Sequence, residues 1–515
     1  MTIRLYNTLT QKLETFETRV PKTASVYVCG MTTYDLAHAG HGRTFTTFDV
    51  LVRYLEARGY HVNHVRNVTD VDDKILRRAQ ERKVEPLALS AEMSKLANAD
   101  LRALGCAPPD QEPRVSEHIP EIIALIEALI EKGAAYAAAT PKGTDVYFAV
   151  RHFEDYGKLS HRHVDDLLAG ARIEVGDIKR DPLDFALWKG ESEDGWGWAS
   201  PWGKGRPGWH IECSAMAERY LGKHFDIHCG GMDLVFPHHE NEIAQAEAVW
   251  GPPFARYWLH AGFLNVDSEK MSKSLGNFVT IRDVLERNDP EAFRYYALGT
   301  HYRGPLSFDL EKREDGRVVF PGLDEAERRV DYMYITRDSL ATAIEAAKAD
   351  GAGPPASAPR TERFKSESKI VAQAPEKVLA ALDKDLNTPV ALAELGELCK
   401  TANELVKQIT KLKKDPAAQA QACSLAEKAI ASLERACAPL GLLQASGAEY
   451  EARTQARRLK LRGLDAHAIE AKVAERTHAR VSKDWKRADE LRAELHALGV
   501  EVLDAGDASR WRVLA

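Results

Sequence analysis

The sequence predicts an α/β protein. We expect a Rossmann-like, doubly wound parallel sheet interrupted by an inserted domain, then an α-helical bundle and a small C-terminal α+β unit. Strand and helix patterns alternate through the first hundred residues, are interrupted between about residues 115 and 205, and then resume. From Val378 to Leu443 alanine and leucine dominate, and both residues favour helices.

The alternation begins with an apolar run, Val26 to Gly30, that predicts a buried strand. A helix from His41 to Arg58 follows, because apolar residues recur there at helical spacing. A strand over His61 to Val68 and a helix over Asp70 to Arg82 continue the pattern, which is typical of a parallel sheet. The recurring apolar residues of the first helix are Phe45, Phe48, Val52 and Leu55.

The segment between about residues 115 and 205 does not continue this alternation of strands and helices. It contains an amphipathic helix over Ile119 to Lys132, a short strand over Asp145 to Val150, and a stretch rich in tryptophan and glycine over residues 188 to 209. The sheet pattern then returns at Phe225 to His228 and at Tyr257 to Leu264. We therefore predict an inserted domain between two halves of one sheet.

The C-terminal third begins after a Gly/Pro/Ala/Ser-rich segment, Asp350 to Pro359, which predicts a linker. A helical bundle is predicted over Val378 to Leu443. The last residues predict a helix over Ser482 to Leu498 and a hairpin ending near Trp511. Lysine and arginine slightly outnumber acids after residue 451, which fits either a solvated helical face or an RNA-binding surface.

The composition narrows the class of protein. A chain of 515 residues is too long for one core, so about three to five domains are expected. No apolar run reaches the roughly 20 residues that cross a bilayer, and the N-terminus lacks a secretory pattern. Seven cysteines, an odd number, do not indicate a disulfide framework, so a cytoplasmic protein is expected.

Four side chains are of the kinds that bind zinc. His238 and Glu242 are four residues apart, so on a helix they would share one face. Cys29 and Cys213 would have to reach them through the fold, which spacing alone does not show. The alternative is that both cysteines are buried structural thiols. A zinc ribbon or finger is excluded, because the chain contains no Cys-x-x-Cys.

Two further motifs are suited to binding phosphates. His38, Gly40 and His41 fall where a strand turns into a helix, and a helix N-terminus attracts phosphate. His-x-Gly-His by itself is also compatible with an incidental loop. Lys270 and Lys273, in Lys-Met-Ser-Lys-Ser, are three residues apart, and on a mobile loop they could neutralise departing pyrophosphate.

A third nucleotide motif is Gly230-Gly231-Met232-Asp233, which follows a predicted strand. Glycines there let a nucleotide approach the backbone, and the carboxylate of Asp233 can bind ribose hydroxyls. Taken alone, the motif is equally an ordinary tight turn.

Together these motifs resemble the cysteinyl-tRNA synthetases, a family of class I aminoacyl-tRNA synthetases, over nearly the whole chain. The matching stretches are Cys29 to Asp35, His38 to His41, Asn67 to Lys74, Gly205 to Ser214, Phe236 to Glu242, the lysine loop, Asp385 to Pro389, and Lys483 to Trp485.

The resemblance implies a set of site residues. One zinc ion would be bound by Cys29, Cys213, His238 and Glu242, and would bind the substrate cysteine thiolate. Thr69, Trp209 and His228 would form the cysteine pocket. His38, His41, Lys270 and Lys273 would serve catalysis with Mg-ATP, and the ATP-binding residues would be Gly40, His41, Gly230, Gly231, Asp233 and Lys273.

The resemblance further implies a monomer that uses ATP, L-cysteine and tRNA(Cys), with no membrane association. Four residues depart from the family pattern: Met31, Ala39, Cys229 and Met232. Met31 and Ala39 lie in the nucleotide loop and could alter its stiffness. Cys229 places an extra thiol near the predicted metal ligands, so it bears on the exact ligand set.

Other functions are compatible with parts of the sequence. A related ligase could transfer activated cysteine to an amino sugar, and would need no anticodon reader. A non-catalytic tRNA-binding homologue could retain the core without its chemistry. The basic and aromatic residues near the C-terminus favour tRNA over an amino sugar.

The predicted domain division follows the resemblance. The segments are 1–115 (catalytic domain, first half), 116–205 (inserted connective domain), 206–265 (catalytic domain, second half), 266–335 (lysine loop and stem contact), 336–375 (linker-containing segment), 376–447 (helical tRNA-binding bundle) and 448–515 (anticodon-binding domain).

Overall fold

The structure is a computed structural model. It describes residues 2–163, 178–266, 269–270, 278–313, 318–350, 363–505 and 508–514. The chain divides into two compact units, and the first comprises Met1–Ile281, Thr300–Ser307 and Leu379–Ala391. The second comprises Arg282–Gly299, Phe308–Val378 and Leu392–Ala515. Most of the predicted linker, from residue 351 onwards, falls outside the described residues.

The described strands before residue 309 are β1 (Arg4–Asn7), β2 (Lys12–Thr15), β3 (Thr23–Val28), β4 (His61–Arg66), β5 (Ala135–Thr140), β6 (Gly143–Phe148), β7 (Phe185–Gly190), β8 (Gly205–Pro207), β9 (Phe225–Gly231), β10 (Ala255–Ala261), β11 (Leu264–Val266), β12 (Glu269–Lys270) and β13 (Leu306–Phe308). The described α-helices before residue 286 are α1 (Ala39–Ala57), α2 (Asp73–Arg82), α3 (Pro86–Ala103), α4 (Ile119–Glu131), α5 (Ile211–Leu221), α6 (Glu240–Trp250) and α7 (Ile281–Leu285), of which α7 lies mostly in the second unit.

The central sheet of the first unit has the order β10-β9-β3-β4, and all its strands are parallel. β3 lies in the middle and is buried along its second half, as expected for a strand covered on both faces. Its apolar run drives this burial, with Val26, Tyr27 and Val28 each at most 1% exposed. The predicted α/β class with a parallel sheet and flanking helices is confirmed.

A second, antiparallel sheet of order β5-β6-β7-β8 occupies the predicted interruption. α4 packs against β5, and the fully buried Trp188 of β7 joins the same hydrophobic core. The chain therefore leaves the parallel sheet after β4, builds an antiparallel sheet, and returns through α5 to β9.

Element boundaries differ from the predicted ones by a few residues. The helix predicted from Asp70 begins at Asp73, because the side chain of Asp72 accepts the N–H of Lys74 and caps it. The strand predicted to end at Gly30 ends at Val28, which leaves Cys29 just beyond the sheet. The helix predicted from His41 begins at Ala39, with His38 as its N-cap.

Arg43 fixes the start of α1 to two other backbone segments. This arginine is 1% exposed, and its terminal nitrogens donate to the carbonyl oxygens of Gly262, Phe263, Tyr302 and Gly304. A Cβ atom at Gly262 would lie 2.4 Å from the oxygen of Gly304, so only glycine allows this close approach. The first turns of α1 are thereby held at the end of β10.

The second unit is mainly helical, as predicted. Its strands are β14 (Glu311–Lys312), β15 (Val318–Val319), β16 (Val500–Ala505) and β17 (Ala508–Val513). Its further helices are α8 (Pro290–Leu298), α9 (Pro321–Ala349), α10 (Lys365–Leu382), α11 (Thr388–Lys411), α12 (Pro416–Cys437), α13 (Gly447–Arg462), α14 (Ala466–Val481) and α15 (Trp485–Ala497). The last residues of α10 and the first residues of α11 belong to the first unit. The antiparallel pair β16–β17 forms the predicted hairpin and packs on α14 and α15.

A buried ion cluster ties α13 to the start of this unit. Arg453 donates to both carboxylate oxygens of Asp289, and Arg458 donates to Glu327 and Asp331. The carboxylates of Asp289 and Glu327 are almost fully buried, so each depends on its arginine partners. In the described part of the chain, no helix is both long enough and apolar enough to cross a membrane.

Arg43→Met should destabilise the first unit. Methionine fills similar space but donates no hydrogen bond, and buried groups left without partners cost about 1–3 kcal/mol. We expect the midpoint of thermal unfolding to fall by roughly 5 °C. Arg77→Met, at an exposed position on α2, is the control and should change the midpoint by about 1 °C or less. Equal midpoints for the two variants would contradict this role of Arg43.

Candidate active site and metal centre

Three elements bring the four predicted metal ligands together. Cys29 follows the last residue of β3, and Cys213 lies in the first turn of α5. A five-residue turn, Val235–His239, runs directly into α6, so His238 and Glu242 lie one turn apart on one helical face. All four side chains are buried, and their donor atoms lie within 4.8 Å of one another.

The distances within this group are short. The two Sγ atoms of Cys29 and Cys213 are 3.7 Å apart, far beyond a disulfide bond. Oε1 of Glu242 lies 3.5 Å from Sγ of Cys29 and 3.0 Å from Nε2 of His238. This buried group of two thiols, an imidazole and a carboxylate could hold a metal ion.

The electrostatics differ among the four donors. Burial holds the pKa of the Cys29 thiol well above its usual range, and although burial opposes protonation of His238, the carboxylate of Glu242 raises its pKa to about 10. The hydrogen bond from Cys29 lowers the pKa of the Cys213 thiol to about 6, although burial opposes this shift. Burial disfavours the ionised Glu242, but the charges of His228 and His238 hold the pKa of its carboxyl well below the usual range. Two buried donors therefore favour their anionic forms, which a bound cation would stabilise.

A second group of donors overlaps the first. Cys29, His228, His239 and Glu242 also have donor atoms within 4.8 Å of one another. Nε2 of His228 lies 2.8 Å from Oε2 of Glu242, and Nε2 of His239 lies 3.3 Å from Sγ of Cys29. His228 and His239 thus each contact one of the two donors that the groups share.

The residues predicted for the cysteine pocket lie in different environments. Trp209 is 37% exposed and stacks on His238 with ring centroids 4.3 Å apart. Thr69 is buried, and its hydroxyl accepts a hydrogen bond from the side-chain amide of Asn67. Its backbone forms an isolated β-bridge with that of Thr32. His228 is fully buried and stacks on Trp258, so it contacts the site through Glu242.

His38 and His41 cap α1 reciprocally. Nδ1 of His38 accepts the backbone N–H of His41 at 3.2 Å, and Nδ1 of His41 accepts that of His38 at 3.3 Å. Because each Nδ1 is an acceptor, each neutral ring carries its proton on Nε2. Burial and the nearby His38 lower the pKa of His41 well below its usual range. His41 is therefore a neutral donor through Nε2–H at this helix start.

The segment after the predicted lysine loop lies against this helix start. The N–H of Ala39 donates to the carbonyl of Val279, and the N–H of Ile281 donates to that of Ala37, both at 2.9 Å. The edge of the Phe278 ring contacts the His38 ring, with centroids 5.4 Å apart. The chain leaving the lysine loop is thus hydrogen-bonded to the histidine turn.

The loop lysines themselves are only partly described. Lys270 ends β12 and pairs through its backbone with Asn265, and its side chain lies outside the described part of the chain. Lys273, with all of residues 271–277, is also outside the described residues. The positions of these two side chains are therefore predictions from the sequence alone.

The glycine motif ends the strand next to β3. Gly230 and Gly231 are the last residues of β9, and Asp233 follows in a short 3-10 turn with an exposed side chain. A Cβ atom at Gly230 would lie 2.6 Å from the ring of His239, so the backbone passes close to the donor groups. Parallel strands place this motif and Cys29 at one edge of the sheet.

Several histidines in the site were not predicted from the sequence. Nδ1 of His210 lies 3.0 Å from Nδ1 of His238. Burial and the nearby His238 hold the pKa of His210 well below its usual range, so His210 is neutral, and the tautomers of the two rings decide which one donates. Nδ1 of His239 lies within hydrogen-bonding distance of Nε2 of His260, at 2.8 Å. Both His210 and His239 adjoin predicted site residues in sequence, which is the signal that could have indicated them.

Comparisons with known proteins identify the fold and the family. The fold is similar to that of a Mycobacterium tuberculosis methionyl-tRNA synthetase in complex with methionyl-adenylate, with a TM-score of 0.61 and 15% identity, covering 86% of this chain and 94% of that chain. Residues 15–316 match the family model of the tRNA synthetases class I (C) catalytic domain. Fold and catalytic domain together define a class I aminoacyl-tRNA synthetase.

Two further family models match the C-terminal part, the DALR domain over residues 377–444 and the cysteinyl-tRNA ligase anticodon binding domain over residues 462–512. The cysteine--tRNA ligase of Anaeromyxobacter sp. (strain K) is 46% identical over 100% of both chains. That of Coxiella burnetii (strain RSA 493) is 43% identical over 99% of this chain and 100% of its own. The chain belongs to the cysteine--tRNA ligase family.

Substitutions of His238 and His239 test which of the two overlapping donor groups binds a metal ion. His238→Asn should reduce the metal that remains bound after dialysis against a chelator, because it removes a donor from the group with both thiols. His239→Asn removes a donor only from the second group and should retain the metal. Metal content per chain is measured by elemental analysis.

Cys229→Ala is the matched control for the thiols, because Cys229 is buried on β9 but lies outside both groups. It should keep its metal. Loss of metal from His239→Asn with retention in His238→Asn would assign the ion to the second group.

Proposed function

We propose that the enzyme activates L-cysteine with Mg-ATP to cysteinyl-adenylate and transfers the cysteinyl group to the terminal ribose of tRNA(Cys). We further propose that a zinc ion held by Cys29, Cys213, His238 and Glu242 selects the thiol. The observation that supports this most strongly is the buried four-donor group at the edge of the parallel sheet.

The donor chemistry and spacing fit zinc. A tetrahedral zinc ion, with bonds of about 2.3 Å to sulfur and about 2.0 Å to oxygen, would separate two sulfurs by about 3.8 Å and a sulfur from an oxygen by about 3.5 Å. The corresponding separations here are 3.7 Å between the two Sγ atoms and 3.5 Å from Cys29 Sγ to Glu242 Oε1. His210 accepting from Nδ1 of His238 would leave Nε2 of His238 for the metal.

Selection of cysteine over serine needs more than shape. A pocket separates such near-isosteres only by roughly 10- to 200-fold. When bound, zinc supplies a soft Lewis acid that favours a thiolate ligand over an alcohol. Trp209 would cover the substrate side chain from the exposed face of His238, and Thr69 would bound the pocket. His228 would act by holding Glu242 in place.

The first step would occur at the start of α1. The cysteine carboxylate oxygen attacks the α-phosphorus of ATP, and the bond to the leaving pyrophosphate breaks. His41 and His38 would donate Nε2–H groups to phosphate oxygens, aided by the helix N-terminus beside Gly40. Lys270 and Lys273 would neutralise the departing pyrophosphate, and Asp233 would hold the ribose beside Gly230 and Gly231.

In the second step a ribose hydroxyl of the tRNA attacks the carbonyl carbon of the adenylate, and AMP leaves. We propose that the helical bundle and C-terminal domain bind the tRNA, with the anticodon read within residues 448–515. Trp485 is 59% exposed at the start of α15, beside Lys483 and Lys486, and such aromatic and basic side chains suit RNA. An enzyme acting on an amino sugar would not need these domains.

Charging of total tRNA with labelled cysteine, with serine as the control, tests the proposal. We expect ATP-dependent cysteine charging and no serine charging. Cysteine-dependent pyrophosphate exchange without tRNA charging would favour transfer to another acceptor such as an amino sugar. Absence of both activities in metal-loaded protein would favour a non-catalytic tRNA-binding role.

Lys273→Ala should lower the rate of cysteine-dependent pyrophosphate exchange by roughly 100-fold, because one charged group facing the transition state is removed. Its metal content should not change. Lys95→Ala, at an exposed position on α3, is the matched control and should exchange at the wild-type rate. Normal exchange by Lys273→Ala would refute the leaving-group role of this lysine.

A further inference from the structure

Glu212 is a buried carboxylate without a hydrogen-bond partner. Its side chain is 0% exposed, and among the described residues neither of its carboxylate oxygens takes part in a hydrogen bond. Other buried carboxylates of the first unit are satisfied: Asp226 accepts the N–H of Arg19, and Glu240 accepts that of Ser160. A buried carboxylate that lacks such donors is unfavourable, so the position of Glu212 calls for a compensating ligand.

Glu212 lies between the proposed metal donors and the predicted cysteine pocket. It directly precedes Cys213 in the first turn of α5. Burial, followed by the charges of Cys213, Asp72 and Asp70, raises the pKa of its carboxyl well above the usual range. The hydroxyl of Thr69 lowers this pKa, being close to the carboxyl without completing a hydrogen bond to it. The negative charge of Glu212 therefore has no cation beside it to compensate it.

The two neighbouring aspartates already have hydrogen-bond donors. Asp70 accepts from both the backbone N–H and the hydroxyl of Ser116. Asp72 accepts the N–H of Lys74 at the start of α2. Of these three carboxylates, Glu212 is thus the one left for a ligand.

The substrate of the proposed reaction brings one cation, the α-ammonium group of cysteine. Its thiolate would bind the metal and its carboxylate would attack ATP, which leaves only the ammonium group without an assigned partner. Because only the Cα and Cβ atoms separate its nitrogen from its sulfur, this group must lie close to the metal donors. Glu212 is next to one of those donors, and a cavity of about 590 Å³ whose lining includes Asp72 and Trp209 adjoins this region.

We propose that Glu212 binds the α-ammonium group of the substrate cysteine. Hydrogen bonds between an ammonium group and a carboxylate are among the strong ones, and burial strengthens them further. Glu212 is then a specificity-determining residue, which selects an α-amino acid where the metal selects a thiol. The inference rests on the proposed function, which it extends to the recognition of the amino group.

Glu212→Gln tests the contact, because the amide keeps the shape of the side chain and removes its charge. Glu127→Gln, at an exposed position on α4, is the matched control. Dissociation constants are measured by calorimetry for L-cysteine and for 3-mercaptopropionate, which carries the same thiol and carboxylate but no amino group. The metal content and the thermal midpoint of each variant are measured on the same samples.

We expect the wild type and Glu127→Gln to bind L-cysteine at least roughly tenfold more tightly than 3-mercaptopropionate, the scale of one hydrogen bond to a charged group. Glu212→Gln should lose roughly tenfold in affinity for L-cysteine and keep its affinity for 3-mercaptopropionate. Its metal content should not change. Its thermal midpoint without ligand should not fall, because an amide is less unfavourable to bury than an unpartnered carboxylate.

Three results would overturn the proposal: an unchanged affinity of Glu212→Gln for L-cysteine, an equal loss of affinity for both thiols, or a loss of metal. The last two would assign Glu212 to holding Cys213 in place. The proposed function would survive each of them, provided that the wild type charges tRNA with cysteine. Failure of the wild type to charge tRNA, with a loss in Glu212→Gln confined to L-cysteine, would instead overturn the proposed function and retain the contact.

Discussion

The convergence of two thiols, an imidazole and a carboxylate in a buried space is the constraint on which the rest of the first unit depends. Buried anionic donors are unfavourable in an apolar interior unless a cation or a hydrogen bond compensates them. The donors come from positions 29, 213, 238 and 242, so the sheet must bring together segments more than 180 residues apart. Parallel strands help to meet this requirement, because their carboxyl ends lie at the same edge of the sheet.

The same edge carries the nucleotide motifs. β3 leads to Cys29 and then to the histidine turn of α1, while the neighbouring β9 ends at the two glycines. Arg43 holds α1 against the backbone after β10, and residues 279 and 281 are hydrogen-bonded to the chain where α1 begins. The nucleotide motifs and Cys29 therefore lie at one edge of the same sheet.

Charge is distributed unevenly over the second unit. Arg453 and Arg458 of α13 pair with the buried carboxylates of Asp289 and Glu327. These pairs fix the helix, whereas Lys460, near its end, is exposed. A net charge of −7 therefore does not argue against RNA binding, because the local field decides where a polyanion binds.

The sequence by itself determined the fold class, since the apolar periodicities of β3, α1 and β4 are local and strong. It also indicated the four donor residues, because the family motifs contain them and His238 and Glu242 share a helical face. Only the tertiary structure brought Cys29 and Cys213 to them. It also revealed the second donor group, the reciprocal capping of His38 and His41, and the carbonyl contacts of Arg43. These features depend on distances between segments far apart in the chain, and neither local periodicity nor spacing contains that information.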